Sequence, residues 1–299
     1  MRSICWMMAT AMAMAMALTA GCSAGRASVA VVAAQASTPP SRSAPAVASK
    51  PSVRDLLLQA IGDHRVALLG EMHGTRETPA LAGQLASGYA AAHQPLLLGL
   101  EIDRNEQVDV DRFLASSGDA GARRTLLAGR HWRAPFDGRD SEAMFELIEH
   151  VRQLRATGAD VRVVYFDDPD PDMDRRNRRM ADTLRAAVKA HPGALLLVLT
   201  GNVHAMTHRP PGELYSEGRR IEPPMTAGRH LADLGAVSID VSAANGEYSA
   251  CMDGSCGPHP VHPRRAQADA SLEKESPSQS AWDFSLTLPR FHVSPPAVH

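Results

Sequence analysis

Four short, almost wholly apolar runs separated by longer amphipathic stretches constrain this chain more than any other feature. They lie at 66–69, 96–100, 161–166 and 195–199. A strand buried on both faces reads as a continuous apolar run rather than as an alternation, and such runs alternating with helices imply a parallel sheet covered on both sides. The intervening helical stretches are 78–93, with Pro79 in its first turn, then 107–115, 120–128, 141–157 and 173–191. A further helix at 53–61 has Ser52 as its cap. The predicted fold is α/β, a single domain with a mainly parallel central sheet flanked by helices. Edge strands are predicted at 237–241 and at 282–288, where Trp282-Asp-Phe-Ser-Leu-Thr-Leu288 alternates with period two. The 299 residues, 44% hydrophobic, suffice for one sizeable core once the polar ends are discounted. There is no internal repeat.

The two ends differ from this body. Met1-Arg2 is followed by an apolar run from Ile4 to Leu18 and then by Thr19-Ala20-Gly21-Cys22. This segment resembles a bacterial lipoprotein signal peptide, 1–22, with Cys22 as the lipidated residue. The alternatives are an ordinary secretory signal cut after Gly21 or Ala24, or a short anchor. The run falls short of the roughly 20 residues that span a bilayer. By the same resemblance, Ser23 in place of Asp points to the outer membrane, with the domain facing the periplasm of the bacterial envelope. Residues 23–52 are rich in Ala, Ser and Pro and read as a disordered tether. The domain then occupies 53–295, with a polar, Pro-bearing flexible insertion at about 258–280.

With Cys5 removed in the signal and Cys22 lipidated, Cys251 and Cys256 remain. Their Asp-Gly turn suits a disulfide in an oxidising compartment. A metal site using His259 and His262 is the alternative, set in a Pro-rich loop.

Composition removes several functions. A formal charge of −2 gives no pull toward nucleic acid, and 4% aromatic residues are too few for base-stacking platforms. The chain has no Gly-x-Ser-x-Gly elbow, His-Glu-x-x-His helix, P-loop or Gly-x-Gly-x-x-Gly turn.

Polar residues gather instead at the ends of the strands. Gly70-Glu71-Met72-His73-Gly74-Thr75-Arg76-Glu77 follows the first and Glu101 closes the second. Asp167 and Asp168 follow the third, and Gly201-Asn202-Val203-His204 follows the fourth. In a parallel sheet all these ends share one edge, where open α/β sheets place their ligands. Two chemistries fit. In one, a histidine accepts a proton from water while a carboxylate fixes its tautomer. In the other, Glu71, His73, Glu101 and His204 hold zinc, manganese or cobalt. Arg76, Glu77, Asn202 and Asp167 are the candidates for holding substrate. The pair His204 and His208 stands four apart, but Arg209-Pro210-Pro211 stops any helix there.

Several of these strings also resemble a known superfamily. Leu69-Gly70-Glu71-Met72-His73, Leu98-Gly99-Leu100-Glu101 with Gln107, Arg178-Arg179-Met180-Ala181 and Thr200-Gly201-Asn202-Val203-His204 are similar to the ordered motifs of ChaN-like haem-uptake lipoproteins. Those proteins share a superfamily with the Tiki proteases and the erythromycin esterases. The resemblance covers about Val66 to His204 and implies an α/β fold with its site at the strand ends. It is a hybrid match. Gly74 stands where ChaN-type members carry Asp, and the string from His73 to Glu77 looks more like the esterase branch, whose equivalent histidine is the proposed base. The esterases space their Glu and His one residue further apart and carry another His where Gly201 stands. Tiki-type members are metal-dependent peptidases, which keeps a metal open.

The sequence therefore points to a membrane-anchored hydrolase acting on an ester or peptide bond of a small molecule or peptide. His73 is the base, Glu71 and Glu101 orient it or bind metal, and His204 with Asn202 completes the pocket. The alternative is a haem-binding lipoprotein in haem or iron uptake, with Tyr89, Tyr165, Tyr215 or Tyr248 available as axial ligands.

Overall fold

A computed structural model describes residues 50–134, 137–212, 214–216, 219–252, 255–262 and 267–298. The predicted signal segment with Cys22, and the tether up to residue 49, lie outside the described residues. The strands are β1 (Val66–Glu71), β2 (Leu96–Asp103), β3 (Val161–Asp167), β4 (Leu195–Gly201), β5 (Leu214–Ser216), β6 (Arg219–Ile221), β7 (Val237–Ala243), β8 (Glu247–Met252), β9 (Ser255–Pro260), β10 (Ser271–Lys274) and β11 (Phe284–Leu288). The helices are α1 (Val53–Ile61), α2 (Glu77–Ala91), α3 (Gln107–Leu114), α4 (Ala120–Leu127), α5 (Glu142–Ala156), α6 (Met173–Ala190), α7 (Asn202–Ala205) and α8 (Ala227–His230).

Seven strands form the central sheet in the order β10-β11-β7-β1-β4-β2-β3, and every neighbouring pair is parallel except β10 with β11. The four apolar runs are its centre and one flank. Each extends one to three residues further than the apolar pattern, so that Glu71, Glu101 and Asp167 sit within strands rather than after them. One face packs on α1, α2, α3, α4 and α5, the other on α6 and α8. Full burial of each leucine on those strands stabilises the fold by about 1.5–3 kcal/mol.

The terminal strand joins the sheet as expected, but β10 lies outside it and β7 is interior. All of β7 is buried although its sequence alternates Val-Ser-Ile-Asp-Val-Ser-Ala. The hydroxyls explain this: Ser238 donates to Asp283, and Ser242 meets Thr287 on β11 at 3.5 Å. Within 258–280, the polar stretch read as a flexible insertion, the structure places the end of β9 and all of β10. The β8–β9 hairpin sets Cys251 opposite Cys256 in register, and Cys256 is disulfide-bonded.

The segment after β11 crosses the loops that follow β1 and precede α5. Ser294 donates its N–H to the Gly74 carbonyl at 2.8 Å, and its hydroxyl accepts from the Ala143 N–H at 3.0 Å. The carbonyls of His292, Pro295 and Asp140 accept from Arg76, Glu142 and Ala297. Two loops far apart in sequence are thereby held together. Among the described residues no helix is long and apolar enough to cross a membrane.

Candidate active site

Glu101, 3% exposed near the end of β2, is the centre of the polar cluster. Its Oε2 accepts from the Thr200 hydroxyl at 2.6 Å and from the Gly201 N–H at 2.7 Å, both contributed by the neighbouring β4. Its Oε1 takes Arg139 at 2.9 Å and Arg176 at 3.1 Å. Asp167, at the end of β3, holds Arg176 through both oxygens at 2.8 Å and meets Arg139 at 3.4 Å. Arg139 also binds Asp137 on its own loop. Burial alone would raise the Glu101 carboxyl, but His204, Arg139, His73 and Arg176 hold it well below the usual carboxylate range. Broken singly, such a buried network leaves an uncompensated charge, so its members stand or fall together.

His73 follows β1 and keeps 23% of its side chain exposed. Its Nδ1–H donates to Glu71 Oε1 at 3.0 Å, and Glu71 itself is 3% exposed. The other ring nitrogen, Nε2, turns to Gly201: a Cβ built there would lie 3.0 Å from Nε2 and 3.5 Å from Glu101 Oε2. Glycine thus leaves open a space bounded by a base and a carboxylate. Burial pulls the His73 imidazolium down, but the Glu71 hydrogen bond and the charges of Glu101 and Glu71 outweigh it and leave the group above its ordinary value of 6.5. Gly74 has φ +67°, and a Cβ there would come 2.5 Å from the Ser249 Cβ, so the turn out of His73 admits no side chain.

His204 arrives from α7, 8% exposed, with Nε2 at 3.8 Å from Glu101 Oε1. Its Nδ1 is 2.7 Å from the Asn177 side-chain oxygen. Burial, first of all, moves it below 6.5, with Arg176 and His73 acting the same way against Glu101 and Asp167. Glu71, His73, Glu101, His204 and Asp167 are therefore brought to one edge.

The remaining sequence candidates fall elsewhere. Arg76 Nε donates to the Val293 carbonyl, and Glu77 binds the N–H and imidazole of His292. Both contact the C-terminal segment at the start of α2. Asn202 offers its carbonyl to the Trp282 indole, and its Cα and Cβ back onto Gly70. Asp168 pairs with Arg104 and Arg179, and His208 pairs with Asp283. A cleft of about 440 Å³ opens beside the cluster, walled by Glu101, Asp103, Glu106, His131, Arg139 and Asp167.

Sequence reasoning did not name Arg139, Arg176 or Asn177 as site residues. Arg139 stands in a loop after no strand, so no strand-end rule reaches it. Asn177 did carry a signal: it occupies a core position in the stripe Asn177, Met180, Ala181, Leu184, Val188.

No protein-family model matches the sequence, and no curated protein matches it. Solved structures do. The crystal structure of a Bacillus cereus protein aligns with 82% of this chain and 94% of its own, at a TM-score of 0.60 and 14% identity. A mutant of the erythromycin esterase EreC, in its open conformation, aligns with 82% of this chain and 95% of its own, at a TM-score of 0.58 and 12% identity. The chain has the fold of that esterase. A ChaN of Campylobacter jejuni described as binding haem cofacially aligns with 80% of this chain and 92% of its own, at a TM-score of 0.40 and 13% identity, too loosely to support a structural argument.

The cluster does not fit a divalent cation. Among the described residues no three His, Cys, Asp or Glu side chains are arranged as ligands for one metal. Glu101, the central carboxylate of the expected His73–Glu101–His204 set, already accepts four hydrogen bonds, two from guanidinium groups that would repel a cation. Of the tyrosines offered for haem, Tyr165 is 1% exposed within β3 and Tyr89 packs against the core, and the cleft beside the cluster is walled largely by charged groups.

Proposed function

We propose that this is a metal-independent hydrolase of ester or peptide bonds, tethered to the bacterial envelope through Cys22, in which His73 is the general base. The observation that carries the reading is the Glu71–His73 hydrogen bond at 3.0 Å, which puts the ring proton on Nδ1 and leaves Nε2 as an acceptor beside Gly201. A water in that space donates one hydrogen to Nε2. As its oxygen attacks the carbonyl carbon, the proton passes to Nε2 and Glu71 stabilises the imidazolium. The same proton then goes to the departing alkoxide or amine. Arg139 acts as a fixed cation beside the base, the part the sequence gives to Arg76, since Glu101, Asp137 and Asp167 raise it further above its already high value against burial. Such a base contributes about 10²–10⁴-fold to rate.

The test is a panel of ester and peptide substrates offered to the purified protein after exhaustive chelation. Hydrolysis that survives chelation and disappears in His73→Gln supports the proposal. Activity that returns only with added metal, or that persists in His73→Gln, contradicts it.

A further inference from the structure

Asn177 is fully buried on α6, and each polar atom of its side chain has an assigned partner. Its Nδ2 donates to the Met173 carbonyl at 2.9 Å, while its Oδ1 accepts from the Ala227 N–H at 3.0 Å and from His204 Nδ1 at 2.7 Å. The Ala227 N–H can only donate and the Met173 carbonyl can only accept, so the amide has one permitted orientation. Its oxygen then has nothing to give to His204, and the proton between them must belong to Nδ1. Neutral His204 therefore has Nε2 bare, 3.8 Å from Glu101 Oε1 with no proton on either atom.

From this geometry we infer that Asn177 is a positioning residue, which fixes the tautomer of His204 so that Nε2 is an acceptor. The consequence is local and chemical. Nε2 of His204, 3.8 Å from Glu101, and Nε2 of His73, beside Gly201, both present lone pairs around the already satisfied Glu101 carboxylate. A species rich in protons and poor in acceptors, such as water or a substrate hydroxyl or amine, satisfies them together. This step rests on the hydrolase reading only for what occupies the space; the tautomer itself does not depend on it. The opposite tautomer would aim an N–H at Glu101 and remove one acceptor from the water. A helix capping role would need only the Ala227 contact, and the second bond to His204 goes beyond it.

The test is nitrogen-15 NMR of the histidine rings at alkaline pH, where both imidazoles are neutral. Wild type is expected to show His204 protonated at Nδ1. Asn177→Ala is expected to release it to a mixture dominated by the Nε2–H form, and Asn177→Asp, which keeps an acceptor, to restore the Nδ1–H form. Where hydrolysis is measurable, Asn177→Ala should lower kcat about 10–100-fold with little change in KM, as the loss of a group that orients a site residue commonly does. His204 carrying its proton on Nε2 in the wild type would overturn the inference without any variant, as would an unchanged tautomer in Asn177→Ala. If no substrate is turned over but the tautomers behave as stated, the hydrolase reading fails and the assignment of Asn177 stands.

Discussion

His73 and His204 approach the same carboxylate, Glu101, from the ends of two adjacent parallel strands, yet their surroundings push them apart. His73 has a carboxylate on Nδ1 and about a quarter of its surface in solvent; His204 has an amide on Nδ1 and is buried. The first is held above the ordinary imidazole value and the second below it. An anionic partner stabilises imidazolium, whereas an amide orients the ring without compensating its charge. Two groups whose environments separate their affinities for a proton are suited to different roles in one reaction. Under the proposed reaction that means a base that stores a proton, His73, and a neutral acceptor, His204.

The largest expected effect tests what the two histidines share. Glu101→Gln leaves Arg139 and Arg176 short of one carboxylate, and thermal or denaturant unfolding at neutral pH should show a loss of about 3–5 kcal/mol. Because the folded carboxyl lies below its usual 4.5, the stabilisation is complete above about pH 4.5 and declines as pH falls through the depressed folded value. The difference between wild type and variant should shrink below that point.

Next comes the backbone that delivers His73 alone. Gly74→Ala forces a side chain into a positive-φ turn already filled by Ser249, and should cost about 1–3 kcal/mol in denaturant unfolding. Hydrolysis should suffer more than the His204 tautomer does. Equal losses on both sides would mean that the two arms are not independent.

Glu71→Gln sharpens the comparison by giving His73 an amide like that of His204. The acidic limb of the pH–rate profile, which requires neutral His73, should move to lower pH, and the maximal rate should fall about tenfold. Protonated His73 also stabilises the folded state below about pH 6.5, a contribution lost as pH rises through its elevated folded value, and this variant should lack it.

The smallest effect is at Asp140, which neighbours Arg139. Its carboxyl is 4% exposed, leaves Oδ1 without a hydrogen bond, and is pushed up to about 6, chiefly by burial. An acid whose folded value is raised costs stability above that value and nothing once both states are protonated. Asp140→Asn should therefore stabilise by on the order of 1 kcal/mol at pH 7.5, with the gain vanishing below about pH 4.

The fold was legible wherever burial on both faces erased alternation, as in β1, β2, β3 and β4. It was not legible in β10, whose Ser271 and Leu272 are only half-buried and whose Glu273 and Lys274 are exposed. The convergence of Glu71, His73, Glu101, Asp167 and His204 followed from parallel direction alone. Arg76 and Glu77 stand close to His73 in sequence, and their hydrogen bonds go to Val293 and His292 at the first turn of α2. Arg139 enters by tertiary packing of a loop, where Gly138 presses against Gly74, and no local pattern announces such a contact.

The most direct test of the central claim is one nitrogen-15 NMR titration of the wild-type protein, following both imidazoles through the neutral range. The account predicts that His73 titrates above 6.5 and His204 below it, each with its neutral proton on Nδ1. A common midpoint, or His204 titrating above His73, would contradict it.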